Sequence, residues 1–201
     1  LRTLGVLISG RGSNLQAILD AIRDGRLDAR VGIVISNVAG AQGLERARNA
    51  GAPTAVIPHR DSSSREEFDA KVVACLREHA VNLVCLAGFM RIVSPVLVRA
   101  YPGRILNVHP SLLPAFTGLH AQRQALEHGV KVTGATVHLV DEELDHGPIV
   151  LQRAVPVLEG DDEETLSARI LKEEHELYPE AIALVLDGRL RVSGRRAVIE
   201  T

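Results

Sequence analysis

Short, almost uninterrupted apolar runs alternate with amphipathic segments through the first half of the chain, and this alternation leaves few folds open. Leu4 to Ile8, Val31 to Ile35, Thr54 to Ile57 and Leu83 to Ala87 read as strands. Between the first two, Leu15, Ile18, Leu19 and Ile22 recur at helical spacing, and Asp24-Gly25 is a plausible stop. Leu44 to Asn49 reads as a short helix halted near Gly51, and a helix from about Ser64 to His79 places Phe68, Val72, Leu76 and His79 on one stripe. Ser94-Pro95 is the signature of an N-cap followed by proline in the first turn. Strands that are apolar on both faces imply a parallel sheet covered on both sides. The expectation is an α/β fold whose N-terminal half is doubly wound and Rossmann-like.

The rhythm changes after Tyr101. Arg104 to Val108 reads as a buried strand that Pro110 and Pro114 prevent from continuing smoothly. An irregular loop through Gly118 and a short helix ending near His128-Gly129 follow. Val132 to Val140 and Ile149 to Val157 are long strand candidates joined around residues 141–147. Neighbours of that kind pair antiparallel, so the C-terminal half is expected to hold a mixed sheet. A last helix starts at Asp161-Asp162, an acidic N-terminus, with Pro179 expected to kink it. A turn and one short strand over 188–192 close the pattern. With no linker, repeat or low-complexity segment, residues 1–201 read as a single domain.

Composition narrows the function classes. The net charge is -2, there is no Trp, and only three Phe and two Tyr occur among 201 residues. Neither a basic footprint nor aromatic stacking platforms for nucleic acid are on offer. No apolar run approaches the ~20 residues of a membrane span, and no signal-peptide pattern opens the chain, so the expected location is cytoplasmic. Cys75 and Cys85 fall in a helix and a buried strand and read as reduced core thiols.

Two segments carry chemistry. Ser9-Gly10-Arg11-Gly12-Ser13-Asn14 lies between the first strand and first helix, where glycines let backbone approach an anion at a helix N-terminus. The third glycine of a dinucleotide fingerprint and the lysine of a P-loop are both missing, so a monophosphate fits best. The alternative is a turn needing glycine for geometry alone. The second segment is Asn107-Val108-His109-Pro110. Residues two apart on a strand share a face, so Asn107 and His109 project together, and Asp145 in Leu144-Asp145-His146-Gly147-Pro148 offers a carboxylate at another tight turn. Singly, each is as well read as a structural histidine or a turn residue; together they suit a proton-transferring, carbonyl-holding site. His120, His138 and His146 lack a metal-binding spacing, so no metal is expected. His138 faces either solvent or the site, and His59, His79 and His128 read as surface or element-end residues.

Four stretches together resemble the phosphoribosylglycinamide formyltransferases, a family of folate-dependent enzymes. They are Ile8 to Gln16, Leu86 to Ile92, Asn107 to Pro114 and Leu144 to Pro148, and the similarity runs in order through nearly the whole chain. The resemblance implies transfer of the formyl group of 10-formyltetrahydrofolate, as co-substrate and without a metal, to the amino group of glycinamide ribonucleotide. The products would be formylglycinamide ribonucleotide and tetrahydrofolate, in de novo purine biosynthesis. It further implies that Asn107, His109 and Asp145 are catalytic, that Gly12, Ser13 and Asn14 cradle the phosphate and that Glu174 binds the ribose. Arg65, Met90, Arg91, Ile92 and Val93 fall on the folate side, with Asn107 and the loop Asp141, Glu142, Glu143, Leu144 and Asp145 around the pterin. Residues 1–100 are then the phosphate- and ribonucleotide-binding half and 101–201 the catalytic and folate-binding half. Partners are expected to be these small molecules, with no nucleic acid or membrane, in a monomer or homodimer. Ala115, Thr117 and Leu139 depart from the commonest family pattern. Alternatives are a formyltetrahydrofolate hydrolase, a methionyl-tRNA formyltransferase lacking its usual second domain, and a catalytically silent nucleotide-binding module.

Overall fold

The computed structural model describes residues 2–200. The chain groups into two compact units that divide between Asn107 and Val108.

In the first unit the strands are β1 (Thr3–Ile8), β2 (Arg30–Ser36), β3 (Thr54–Val56), β4 (Leu83–Leu86) and β5 (Ile105–His109), whose last two residues pass the division. They lie in the order β3-β2-β1-β4-β5, and every adjacent pair is parallel. The helices are α1 (Ser13–Arg23), α2 (Gln42–Asn49), α3 (Arg65–Glu78) and α4 (Pro95–Ala100), with a 3-10 turn at His59–Asp61. The doubly wound expectation is met for a simple reason. β1 and β4 are buried along their whole length, so both faces need a covering layer. Strand order reverses between β1 and β4, the switch point where open α/β sheets bind ligands at their carboxyl ends.

Local signals mostly held. Leu15, Ile18 and Leu19 are buried on α1, and Phe68, Val72 and Leu76 on α3, whose N-cap Ser64 accepts from the Glu67 amide. Ser94 does occupy the N-cap position of α4, but its hydroxyl makes no cap bond. Instead its amide donates to the buried Asp69 carboxylate at 2.5 Å. Burial is the main force on that carboxyl, raising its pKa above the usual range against the lowering pull of the Ser94 bonds.

The second unit holds α5 (Ala121–His128), β6 (Val132–Leu139), β7 (Ile149–Pro156), α6 (Glu163–Leu186), β8 (Leu190–Ser193) and β9 (Arg196–Ile199). β6 and β7 pair antiparallel, β9 joins β7 in parallel through Ile149 and Arg196, and β8 returns antiparallel on β9. This sheet is mixed, as expected, although the sequence pattern offered only one of the two final strands. α6 starts in a capping box between Asp162 and Thr165 and carries Pro179 inside one continuous helix. Its buried stripe includes Leu166, Ile170, Leu177, Tyr178, Ala181 and Ile182, with Glu174 seated among them. A carboxylate in that stripe departs from what packing alone selects.

The turn after β5 is held by Thr136 of β6. The Thr136 hydroxyl donates to the Ser111 carbonyl at 2.7 Å and accepts from the Leu113 amide at 3.1 Å. Gln152 of β7 donates to the Leu113 carbonyl at 2.9 Å. Buried polar groups left without such partners are costly, so these bonds give the proline-rich turn a fixed shape. Among the described residues, no helix is long and apolar enough to cross a membrane.

Candidate active site

The front loop sits at the switch point of the first unit. Gly12 is the N-cap of α1 with φ 72°, and a Cβ there would lie 2.6 Å from the Gly43 Cα. Geometry alone therefore demands this glycine. Gly10 is different: it is exposed, and a Cβ on it would meet nothing within 4 Å. No side chain caps the first turn of α1 and no acidic residue stands in it, which suits an incoming anion.

α2 holds the loop from one side. The Gly43 amide donates to the Gly10 carbonyl at 3.0 Å, and Arg46 Nε donates to the Arg11 carbonyl at 2.8 Å. From the other side, the Ser9 hydroxyl donates to Asn37 Oδ1 at 2.5 Å and accepts from the Met90 amide at 2.9 Å, while the Ser9 amide donates to the Gly88 carbonyl at 3.1 Å. One serine thus ties the front loop to the 88–93 segment. Neither Ser9 nor Asn37 was picked out as a site residue; Asn37 directly follows β2 at the carboxyl edge, and only that position marks it. Gly12→Ala is expected to raise KM for a phosphorylated substrate more than tenfold and to destabilise the fold by about 2 kcal/mol, because a left-handed alanine is strained. Steady-state kinetics and urea unfolding check both effects.

The residues expected beside folate are spread along the first unit. Arg65 opens α3 and is exposed, Met90 and Ile92 are exposed, and Arg91 and Val93 are half-buried. The Arg91 guanidinium lies 5.8 Å from the centre of the Phe68 ring, which stacks on Phe89 at 6.4 Å. An apolar wall with exposed side chains at its edge is suited to a flat ring system.

The second unit brings His109 and Asp145 together. The His109 side chain is 7% exposed, its Nδ1 3.6 Å from Asp145 Oδ2. Its Nε2 donates to the Phe116 carbonyl at 2.7 Å. Both ring nitrogens therefore face oxygen. Asp145 has φ 50°, a left-handed position that Asp tolerates better than most residues, and its carboxylate accepts from the Gly118 amide at 2.8 Å. Asn107 is half-buried two residues before His109 on β5, so the two share a strand face.

His138 faces the site rather than solvent. It is 2% exposed, with Nε2 3.9 Å from Asp145 Oδ1 and Nδ1 bonded to the Leu139 carbonyl at 3.0 Å. Burial lowers its pKa, outweighing the raising pulls of the Leu139 carbonyl and Asp145, so the neutral imidazole is favoured. In the 141–145 loop, Glu142, Glu143 and Leu144 are exposed, and Asp141 accepts from the Glu143 amide at 2.9 Å. Gly147 is obligatory, because a Cβ would collide with the Leu139 carbonyl. Cys75 and Cys85 form no disulfide, and the described residues contain no group of three or more His, Cys, Asp or Glu able to hold a metal ion.

The chain as a whole has counterparts in known proteins. A family model described as formyl transferase matches residues 2–182. Phosphoribosylglycinamide formyltransferase of Escherichia coli (strain K12) is 48% identical over 195 residues, covering 97% of this chain and 92% of that one. The chain belongs to the formyl transferase family, among the phosphoribosylglycinamide formyltransferases. Trifunctional purine biosynthetic protein adenosine-3 of Drosophila pseudoobscura pseudoobscura is 54% identical over 94% of this chain, which spans only 14% of that relative's length. Glycinamide ribonucleotide transformylase 1 from Symbiobacterium toebii has the same fold at a TM-score of 0.99, with 58% identity over 100% of this chain and 95% of that one. In this formyl transferase the last helical turn and the β8–β9 hairpin lie beyond the residues that the family model matches.

Proposed function

We propose that this formyl transferase moves the formyl group of 10-formyltetrahydrofolate to the amino group of glycinamide ribonucleotide, releasing tetrahydrofolate. The observation that carries the mechanism is the His109–Asp145 pair, with Asn107 on the same strand as the histidine. The neutral substrate amine attacks the formyl carbon, and the carbonyl electrons collect on oxygen. Asn107 and the imidazolium of His109 hydrogen-bond that oxyanion, usually the largest single contribution in acyl-type transfer. Collapse expels the folate nitrogen, while the proton lost by the attacking amine reaches it through His109 or a held water. Asp145 orients the ring and offsets its charge. No covalent intermediate with the protein is needed.

The Phe116 carbonyl supports a place for the oxyanion beside His109. It is an oxygen 2.7 Å from His109 Nε2, the distance that a stabilised alkoxide would take. The substrate then displaces residues 116–118 from the histidine as it binds. Gly12, Ser13 and Asn14 hold the ribonucleotide phosphate, Glu174 a ribose hydroxyl, and Arg65, residues 90–93 and residues 141–145 the folate. The uncapped α1 N-terminus at the switch point and the buried carboxylate on α6 support those roles.

The decisive experiment follows 10-formyltetrahydrofolate consumption with and without glycinamide ribonucleotide. Consumption that requires the ribonucleotide and yields formylated product is expected. Equal consumption without it would instead mean that water is the acceptor.

A further inference from the structure

The 141–146 loop is crowded with negative charge. Asp141, Glu142, Glu143 and Asp145 place four carboxylates within five residues. Like charges this close repel, and a loop so composed needs a cation to hold one shape. A cation from far along the chain reaches this loop through His146. Arg195, in the turn between β8 and β9, puts one guanidinium nitrogen 2.8 Å from His146 Nε2 and 3.1 Å from Nδ1, and its other nitrogen donates to the His146 carbonyl. His146 Nδ1 in turn lies 2.8 Å from Asp141 Oδ2, and the Glu143 carboxylate is 3.9 Å from Nε2.

One tautomer links the loop to Arg195. With its proton on Nδ1, the neutral His146 ring donates to Asp141 and accepts from Arg195 at Nε2. Asp141 then also accepts from the Glu143 amide, so guanidinium, imidazole and carboxylate form a chain ending in the loop backbone. The arginine is well anchored for this task. Its neighbour Arg196 pairs with Ile149 on β7, and Arg191 and Glu200 close the hairpin with an ion pair at 2.9 Å.

We infer that Arg195 is a positioning residue for the formyl donor. Through His146 and Asp141 it holds the 141–144 stretch of the loop in binding shape before the folate arrives. The identity of the ligand rests on the function proposed above; the ordering of the loop rests on these distances alone.

Arg195→Ala and Arg195→Lys are compared with the wild-type chain by amide hydrogen exchange over residues 140–147 without ligands, and by transfer kinetics. Exchange of that segment is expected to quicken about fivefold in Arg195→Ala, in keeping with loss of charge-assisted hydrogen bonds at a partly exposed site. KM for 10-formyltetrahydrofolate should rise about fivefold, with kcat and the ribonucleotide KM changed by less than about twofold and the lysine variant in between. Unchanged exchange overturns the inference. So does faster exchange with an unchanged folate KM, or a loss confined to kcat. If the wild-type chain transfers no formyl group, the functional reading fails by itself, and the exchange result still decides whether Arg195 orders the loop.

Discussion

Replacing His109 with alanine is expected to cut formyl transfer by ~10²–10³ in kcat, the usual cost of losing one donor to a developing oxyanion. The loss should exceed that of any other single substitution considered above, because the ring both stabilises the oxyanion and carries the proton. The fold should survive. His109 is the last residue of β5, and the turn that follows hangs on Thr136 and Gln152. Circular dichroism and thermal unfolding close to wild type, alongside collapsed turnover, are the expected pair of results. A folded His109→Ala protein with near-normal kcat would remove the histidine from the mechanism.

Asp145→Asn should follow, lowering kcat about 10²-fold with little change in either KM. The substitution is informative because Asp145 has two functions that asparagine separates. Its carboxylate accepts from the Gly118 amide, and it stands 3.6 Å from His109 Nδ1. An amide oxygen can keep the first contact, but no uncharged group can offset an imidazolium. If Asp145→Asn turns over normally while Asp145→Ala does not, the carboxylate serves only as a peg for the 116–118 loop. Kinetics of the two variants, measured side by side, separate these roles.

The first unit was readable because β1 and β4 are apolar on both faces, and runs of that kind admit one kind of sheet. His109 and Asp145 were legible as candidates since prolines and glycines bracket them where strands end. Other features left no trace in the residue pattern. β9 has mostly exposed side chains, so no burial rhythm announces it. The Ser9–Asn37 bond joins residues 28 positions apart, and neither lies in a periodic segment. The Ser94 hydroxyl was assigned a cap it does not make, while the Ser94 amide donates to Asp69 on a different helix, a partner no local pattern reveals. The oxygen on His109 Nε2 is a main-chain carbonyl, which any residue at position 116 would have supplied.

If the proposed phosphate site is right, the bare start of α1 would tie the stability of the protein to its substrate. A helix that begins at a left-handed glycine, with neither a capping side chain nor an acid in its first turn, forgoes stabilisation that most helices obtain internally. An anion that settles there supplies it, and any ligand confined to the native state adds RT ln(1 + [L]/Kd) to the free energy of unfolding. At a ligand concentration one hundred times Kd the gain is about 2.7 kcal/mol, a large fraction of the margin by which ordinary domains stay folded. The abundance of the folded chain would thus follow the supply of the phosphorylated compound it consumes.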